Sequence, residues 1–256
     1  MHEFYRDTTV LLTGASSGIG LEMARQLVPL GARVLLVARR ESELQDLARS
    51  LGPQTAVFAA DLQPSGAADD LADRVGAAGE TVDVLINNAG FGLAGPFLQH
   101  ASGASGMTEL NVTALTQLTA RFAPGMAERG TGGILNVASL GGFMPVPRMA
   151  VYAATKAYVL SFTDALHHEL RASGVHVSSL CPGPVRTGFA ERAAMDDAFF
   201  RGAQPVETVA KAGLQALARN RRRVVPGILT KLQAFAPRVV PPGPGLRLTE
   251  WFSSKA

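Results

Sequence analysis

The chain has 256 residues, 47% of them hydrophobic and 18% charged, with a formal net charge of +3. That is ample apolar material for one α/β domain, and the small, spread charge does not suit a nucleic-acid binder. The one cysteine, Cys181, excludes an internal disulfide, and no apolar run approaches the ~18 residues of a membrane span.

The first residues, Met1 to Asp7, are polar and lack the apolar centre of a secretory signal. A cytoplasmic location is therefore expected. The five histidines show no metal-ligand spacing, so no metal site is expected. Thr9 to Leu12 is a short apolar strand running straight into Thr13-Gly14-Ala15-Ser16-Ser17-Gly18-Ile19-Gly20. Behind it Ile19, Met23, Leu27 and Leu30 recur at steps of four, four and three, the stripe of a buried helix face. A glycine-rich turn thus joins a strand to a helix N-terminus, where free amides and the helix dipole receive a phosphate. Pro29 costs that helix a hydrogen bond and predicts its end before Gly31.

Arg33 to Ala38 reads as a fully apolar second strand after its first residue. In a dinucleotide fold the residue at its end meets the adenosine ribose, and a carboxylate there holds the free 2′-hydroxyl of NAD. This chain offers Arg39-Arg40 instead, two cations suited to the 2′-phosphate of NADP. A helix over 42–51 and a strand over 55–59 follow, ending at Asp61-Leu62. A helix of roughly 66–78 leads to a strand over 82–86, which ends in Asn87-Asn88-Ala89-Gly90. The alternation predicts right-handed crossovers and a parallel sheet whose strand carboxyl ends face a ligand crevice. Gly14, Arg39, Asp61, Asn88 and Ser139 all fall just past strand ends, and that convergence argues for a site.

Residues 107–129 read as a long helix carrying Asn111 among small and apolar residues. The apolar run 134–138 is a buried strand ending at Ser139. Tyr152 and Lys156 stand four apart in the helix that follows, which is read to about residue 172. That spacing puts a phenol and an ammonium one turn apart on one face. An unperturbed tyrosine titrates near ~10, so poising it near neutrality takes about 4 kcal/mol. One cation at about 4 Å, at an effective dielectric near 20, supplies on the order of 4 kcal/mol. A sixth strand over 175–180 ends in Cys181-Pro182-Gly183-Pro184-Val185-Arg186-Thr187. Residues 188–204 mix aromatic and charged side chains and suit a movable lid. A helix to about Arg219 and a short strand after a basic corner complete the core.

Thr13 to Gly20, Asn87 to Gly90, Asn111, Ser139, Tyr152-Ala153-Ala154-Thr155-Lys156 and Pro182 to Thr187 occur together in order. In that combination the chain resembles the short-chain dehydrogenase/reductase family over residues 7–227. The resemblance implies a three-layer, doubly wound α/β Rossmann fold with a mostly parallel seven-stranded sheet. It implies one domain over 1–256, with 228–256 a tail packing on the domain or on a partner subunit. It implies NADP(H) bound with its pyrophosphate along Gly14, Ser16, Ser17, Gly18, Ile19 and Gly20. Arg39, with Arg40 as a second candidate, would take the 2′-phosphate, and Asp61 and Leu62 the adenine. Asn88, Ala89 and Gly90 would run along the adenosine ribose, and Pro182, Gly183, Val185 and Thr187 would hold the nicotinamide end.

By the same resemblance, Ser139 would hold the substrate oxygen and Tyr152 would give it a proton. Lys156 would lower the Tyr152 pKa and bind the nicotinamide ribose, and Asn111 would position its helix and a water leading toward Lys156. Phe91, the segment 140–151, Phe189 and Phe199 are the candidate walls of the substrate pocket. The expected activity is NADP(H)-dependent interconversion of a carbonyl and a secondary alcohol on an apolar small molecule, in a homodimer or homotetramer. A 3-oxoacyl-thioester reductase and a non-catalytic NADP-binding sensor are the alternatives. The C-terminus lacks the glycine-rich ending that many acyl-carrier-protein reductases use in tetramer contacts, which tells against the first. Intact Ser139, Tyr152 and Lys156 tell against the second.

Overall fold

The structure, a computed structural model, describes residues 1–187 and 202–238. Its strands are β1 (Thr9–Thr13), β2 (Arg33–Ala38), β3 (Thr55–Ala59), β4 (Val84–Asn87), β5 (Gly132–Val137), β6 (Val175–Leu180) and β7 (Arg223–Val224). They form one seven-stranded sheet in the order β3-β2-β1-β4-β5-β6-β7. Every pairing is parallel, which sharpens the expected mostly parallel sheet. The order reverses between β1 and β4, so a crevice opens beyond their carboxyl ends.

The principal helices are α1 (Gly18–Leu27), α2 (Glu41–Leu51), α3 (Ala67–Ala77), α4 (Leu115–Arg129), α5 (Ala150–Glu169), α6 (Val206–Ala218) and α7 (Ile228–Phe235). The sheet is covered on both faces, which is why its strands are apolar throughout instead of alternating. Val10 and Leu12 of β1 point into a core with Met23 and Leu27 of α1 and Leu214 of α6. Leu11 points the other way, into a core with Leu71 and Val75 of α3 and Leu118 of α4. Burying each such side chain contributes roughly 1.5–3 kcal/mol. A smaller core of Leu115, Ala138, Val159, Leu160 and Cys181 lies under α5.

The helix after the glycine turn ends as Pro29 predicts. α1 stops at Leu27, a 3-10 turn covers Val28–Leu30, and Gly31 turns left-handed at φ 83°. Several boundaries differ from the sequence expectations, three of them instructively. The fourth strand begins at Val84 and takes in Asn87, because Asn87 pairs in register with Asn136 of β5. The helix of Asn111 begins earlier, at Ala104, and is not uniform: Glu109–Ala114 is a π turn between Ala104–Thr108 and α4. Beyond α5, Leu170–Ser173 is 3-10, not α-helical. The expected lid over 188–204 falls outside the described residues except for 202–204, as do Phe189 and Phe199. Of the tail, 228–238 is described and forms α7 and a 3-10 turn.

Candidate functional site

The glycine turn is held from β4. Gly14 adopts φ 67°, a left-handed conformation that a side chain disfavours. The Thr13 hydroxyl accepts the backbone N–H of Asn88 (3.0 Å) and of Ala89 (3.0 Å). It reaches Ile86 O at 3.3 Å. The Asn88 amide donates to Thr13 O (2.9 Å) and Gly14 O (3.1 Å). A Cβ on Gly20 would overlap the Gly14 carbonyl and the Asn88 amide, so the first turn of α1 presses directly on the loop. Ser17 enters α1 in extended conformation with no side-chain cap on the helix amides. Ser16, Ser17, Gly18 and Ile19 are all partly exposed around those amides. A tight, partly exposed helix N-terminus is a fit for a pyrophosphate.

Farther along the crevice the expected residues separate. Arg39 is exposed and makes no ion pair among the described residues. Arg40 is tied to Glu43 at 2.8 Å, which leaves Arg39 as the freer cation. Asp61 is exposed and accepts the Gln63 backbone N–H at 3.1 Å. Leu62 differs from expectation: its side chain is buried in the sheet core beside Phe58 and Leu71. Only its backbone is left to face a ligand.

At the other end, Ser139 leaves β5 extended and its Oγ accepts the Gly141 N–H at 3.1 Å, opening a 3-10 turn over Leu140–Phe143. Leu140 N donates to Pro182 O at 2.8 Å, which joins this turn to the loop after β6. Tyr152, in the first turn of α5, is hydrogen-bonded with Ser139. Lys156 is 5% exposed, and its Nζ donates to Val137 O at 2.8 Å and lies 5.8 Å from the Tyr152 ring centroid.

The electrostatics therefore differ from the simple pair expected from spacing. Burial raises the Tyr152 phenol above its ordinary value, and the Ser139 hydrogen bond pulls it partly back. Burial also lowers the Lys156 ammonium to about 8. Desolvation dominates because each group is more enclosed than it is compensated. The ammonium donates to a backbone carbonyl and lies over the Tyr152 ring.

Asn111 lies in the π turn and is 1% exposed. Its side chain accepts from Phe91 N (3.1 Å) and donates to Phe91 O (2.9 Å) and Thr155 Oγ (3.1 Å). A π turn widens the helix and commonly marks functional positions. Here it aims an amide sideways to clamp the loop after β4 against the helix of Lys156. Gly90 fits between them: a Cβ there would stand 2.9 Å from Asn111 Oδ1 and 3.5 Å from Lys156 Nζ.

The loop after β6 closes the crevice. Pro182 and Val185 are buried, and Val185 bridges to Gln204. Gln204 N donates to Pro184 O at 3.0 Å, and its side chain reaches Pro226 O and Thr230. Gly183 lies against Thr230 of α7, and Thr187 lies over Gly18. So the expected nicotinamide loop meets the phosphate turn, as one continuous site requires.

The structure adds residues that sequence reasoning missed. Thr13 and Thr155 are the hydroxyls that fix Asn88 and Asn111, and each stands next to a residue singled out above. Asn87 donates to Thr119 (3.1 Å) and Asn136 (2.9 Å), and Asn136 donates to Thr163 (2.9 Å). This buried ladder stitches β4 and β5 beneath Lys156; the polar residue within an otherwise apolar strand was its signal. Cys181 is fully buried and burial pushes its thiol up to about 12, in keeping with an unreactive cysteine. Among the described residues no cluster of metal-binding side chains occurs.

A parallel doubly wound sheet, a glycine turn at its switch point, and a Ser–Tyr–Lys group beside it define a nucleotide-binding oxidoreductase architecture. Residues 8–198 match the family described as short chain dehydrogenase. The chain belongs to the short-chain dehydrogenase/reductase family of oxidoreductases. It is 32% identical over 255 residues to the ketoacyl reductase HetN of Nostoc sp., covering 95% of this chain and 88% of that protein. It superimposes with a TM-score of 0.82 and 34% identity on a short-chain dehydrogenase from Sphingobium yanoikuyae in complex with NADPH, covering 90% of this chain and 93% of that one. It superimposes with a TM-score of 0.79 and 27% identity on a family member from Burkholderia phymatum in complex with NAD, covering 90% and 92%. No described helix is long and apolar enough to cross a membrane.

Proposed function

We propose that the protein is an NADPH-dependent carbonyl reductase in which Tyr152 is the proton donor. The observation that carries this reading is the hydrogen-bonded Ser139–Tyr152 pair beside buried Lys156, at the carboxyl edge of the sheet. NADPH, when bound, supplies the hydride. Ser139 holds the carbonyl oxygen, and Tyr152 releases its proton to that oxygen as the carbonyl carbon is reduced, so carbonyl, hydride and proton give the alcohol. A phenol raised by burial keeps its proton at neutral pH, which suits the reductive direction. Lys156 holds its charge below about pH 8 and stands ready to replace the proton's charge as the phenolate develops. Asn111 fixes the wall through Phe91 and Thr155.

The cofactor preference rests on Arg39, an exposed cation at the end of β2 with no acidic partner among the described residues. A guanidinium receives a phosphate bidentately and offers no acceptor to a ribose hydroxyl. The relative solved with NADPH fits this preference, although another family member is solved with NAD. The test follows cofactor consumption with a panel of ketones and aldehydes. NADPH should exceed NADH by about tenfold or more in kcat/KM, and Arg39→Asp should erase most of that difference. Equal or better use of NADH by the unaltered protein would overturn the preference, and no consumption with any carbonyl would overturn the reductase.

A further inference from the structure

A shallow, open hollow lies between the loop after β4 and the start of α5. Leu93, Phe97, Met107 and Val151 give it an apolar wall. Among the described residues Arg148 and His100 are the only ionisable side chains lining it, and no carboxylate does. Arg148 is exposed and makes no ion pair among the described residues. A cation left unpaired beside an apolar wall is poised for a ligand anion.

The backbone around that cation is strained. Arg148 takes φ 64°, which glycine or asparagine would adopt more easily. Its carbonyl accepts the Gly95 N–H at 2.8 Å, and Gly95 itself takes φ 134° with the His100 ring pressed against it. The left-handed Arg148 is thus clipped to a glycine whose own backbone angle glycine alone tolerates, and the clip holds a guanidinium at the rim. Strain of this kind clusters at ligand clamps. Val151, on the hollow's wall, immediately precedes Tyr152. Arg148 is four residues from Tyr152, a span of at most ~14 Å of chain.

We propose that this hollow is a substrate subsite, with Arg148 as a specificity-determining residue. The substrate's carbonyl meets Ser139 and Tyr152, its apolar spacer lies along Leu93, Phe97 and Val151, and an anionic group at its far end pairs with Arg148. The substrate class is an oxo compound ending in a carboxylate or phosphate. This inference rests on the reductase reading above.

The test compares three ketones of equal chain length: an oxoalkanoate, its methyl ester and the matching oxoalkyl phosphate. In the unaltered protein at least one anion should exceed the neutral ester by about tenfold in kcat/KM. Which anion does so identifies the group. Arg148→Met should bring that ratio close to one, and Arg148→Lys should keep part of it. The ratio is internal to each variant, so a partial loss of folded protein does not mimic the effect. A ratio near one in the unaltered protein, or an unchanged ratio in Arg148→Met, overturns the proposal.

Calorimetric binding of octanoate and octyl phosphate, which have no carbonyl to reduce, provides a second readout. Whichever anion binds should do so about tenfold more weakly to Arg148→Met. Equal affinity for the variant and the unaltered protein overturns the subsite. Arg148-dependent binding without turnover of any ketone counts against the reductase reading and leaves the subsite standing.

Discussion

At the scale of the residue, the site is governed by burial more than by charge pairing. Lys156 is nearly buried, and its ammonium donates to the Val137 carbonyl. Its pKa falls from 10.5 to about 8 on folding. A lysine whose pKa is depressed in the folded state binds its proton more tightly in the unfolded chain. Folding therefore carries a charge-burial cost that is fully present below about pH 8 and fades as the pH rises toward the unfolded value. Relative to Lys156→Met, the unaltered protein should gain about 2 kcal/mol of stability between pH 7 and pH 9.5. Urea unfolding of both proteins at the two pH values measures this; a constant difference would mean that Lys156 is not desolvated as the structure has it. Tyr152 moves in the opposite sense, upward, and keeps its proton through this window.

At the scale of the element, the site depends on side chains that brace loops. Asn111 is the clearest case, since a single amide satisfies both backbone groups of Phe91 and the hydroxyl of Thr155. Asn111→Leu keeps a similar volume but strands the Phe91 N–H and C=O. It should cost about 1–3 kcal/mol in urea unfolding, with turnover falling further than cofactor binding. A variant with unchanged stability and turnover would show that the π turn clamps nothing. Sequence periodicity could place the helix and name Asn111, but it could not show the π turn. A helix carrying one extra residue per turn has no distinct apolar pattern, and what selects it is the hydrogen bonding of one amide to a loop about twenty residues earlier. The glycine turn was legible for the opposite reason. Its strand, glycines and helix stripe are contiguous in sequence, and only the bracing by Thr13 and Asn88 is long-range.

At the scale of the whole molecule, the sheet order was legible because alternating strands and helices with right-handed crossovers leave few topologies open. The strand order reverses between β1 and β4, and the switch point collects residues from every part of the chain at one edge. The pairing of Arg40 with Glu43 was not legible, because it is a matter of rotamers. Nor was the buried position of Leu62, which depends on how β3 passes into the next loop. The Tyr152–Lys156 spacing was read correctly as one helix face, but spacing carries no information about desolvation, and desolvation reverses the sign of the net shift on the phenol.

The central claim is that Tyr152 supplies the proton when a carbonyl is reduced. The direct test is single-turnover NADPH oxidation by a responsive ketone at pH 7, with NADPH binding followed by fluorescence in the same samples. Tyr152→Phe should slow the turnover by about 10²- to 10⁴-fold while changing the NADPH dissociation constant by less than about threefold. Turnover by Tyr152→Phe at the rate of the unaltered protein would contradict the account.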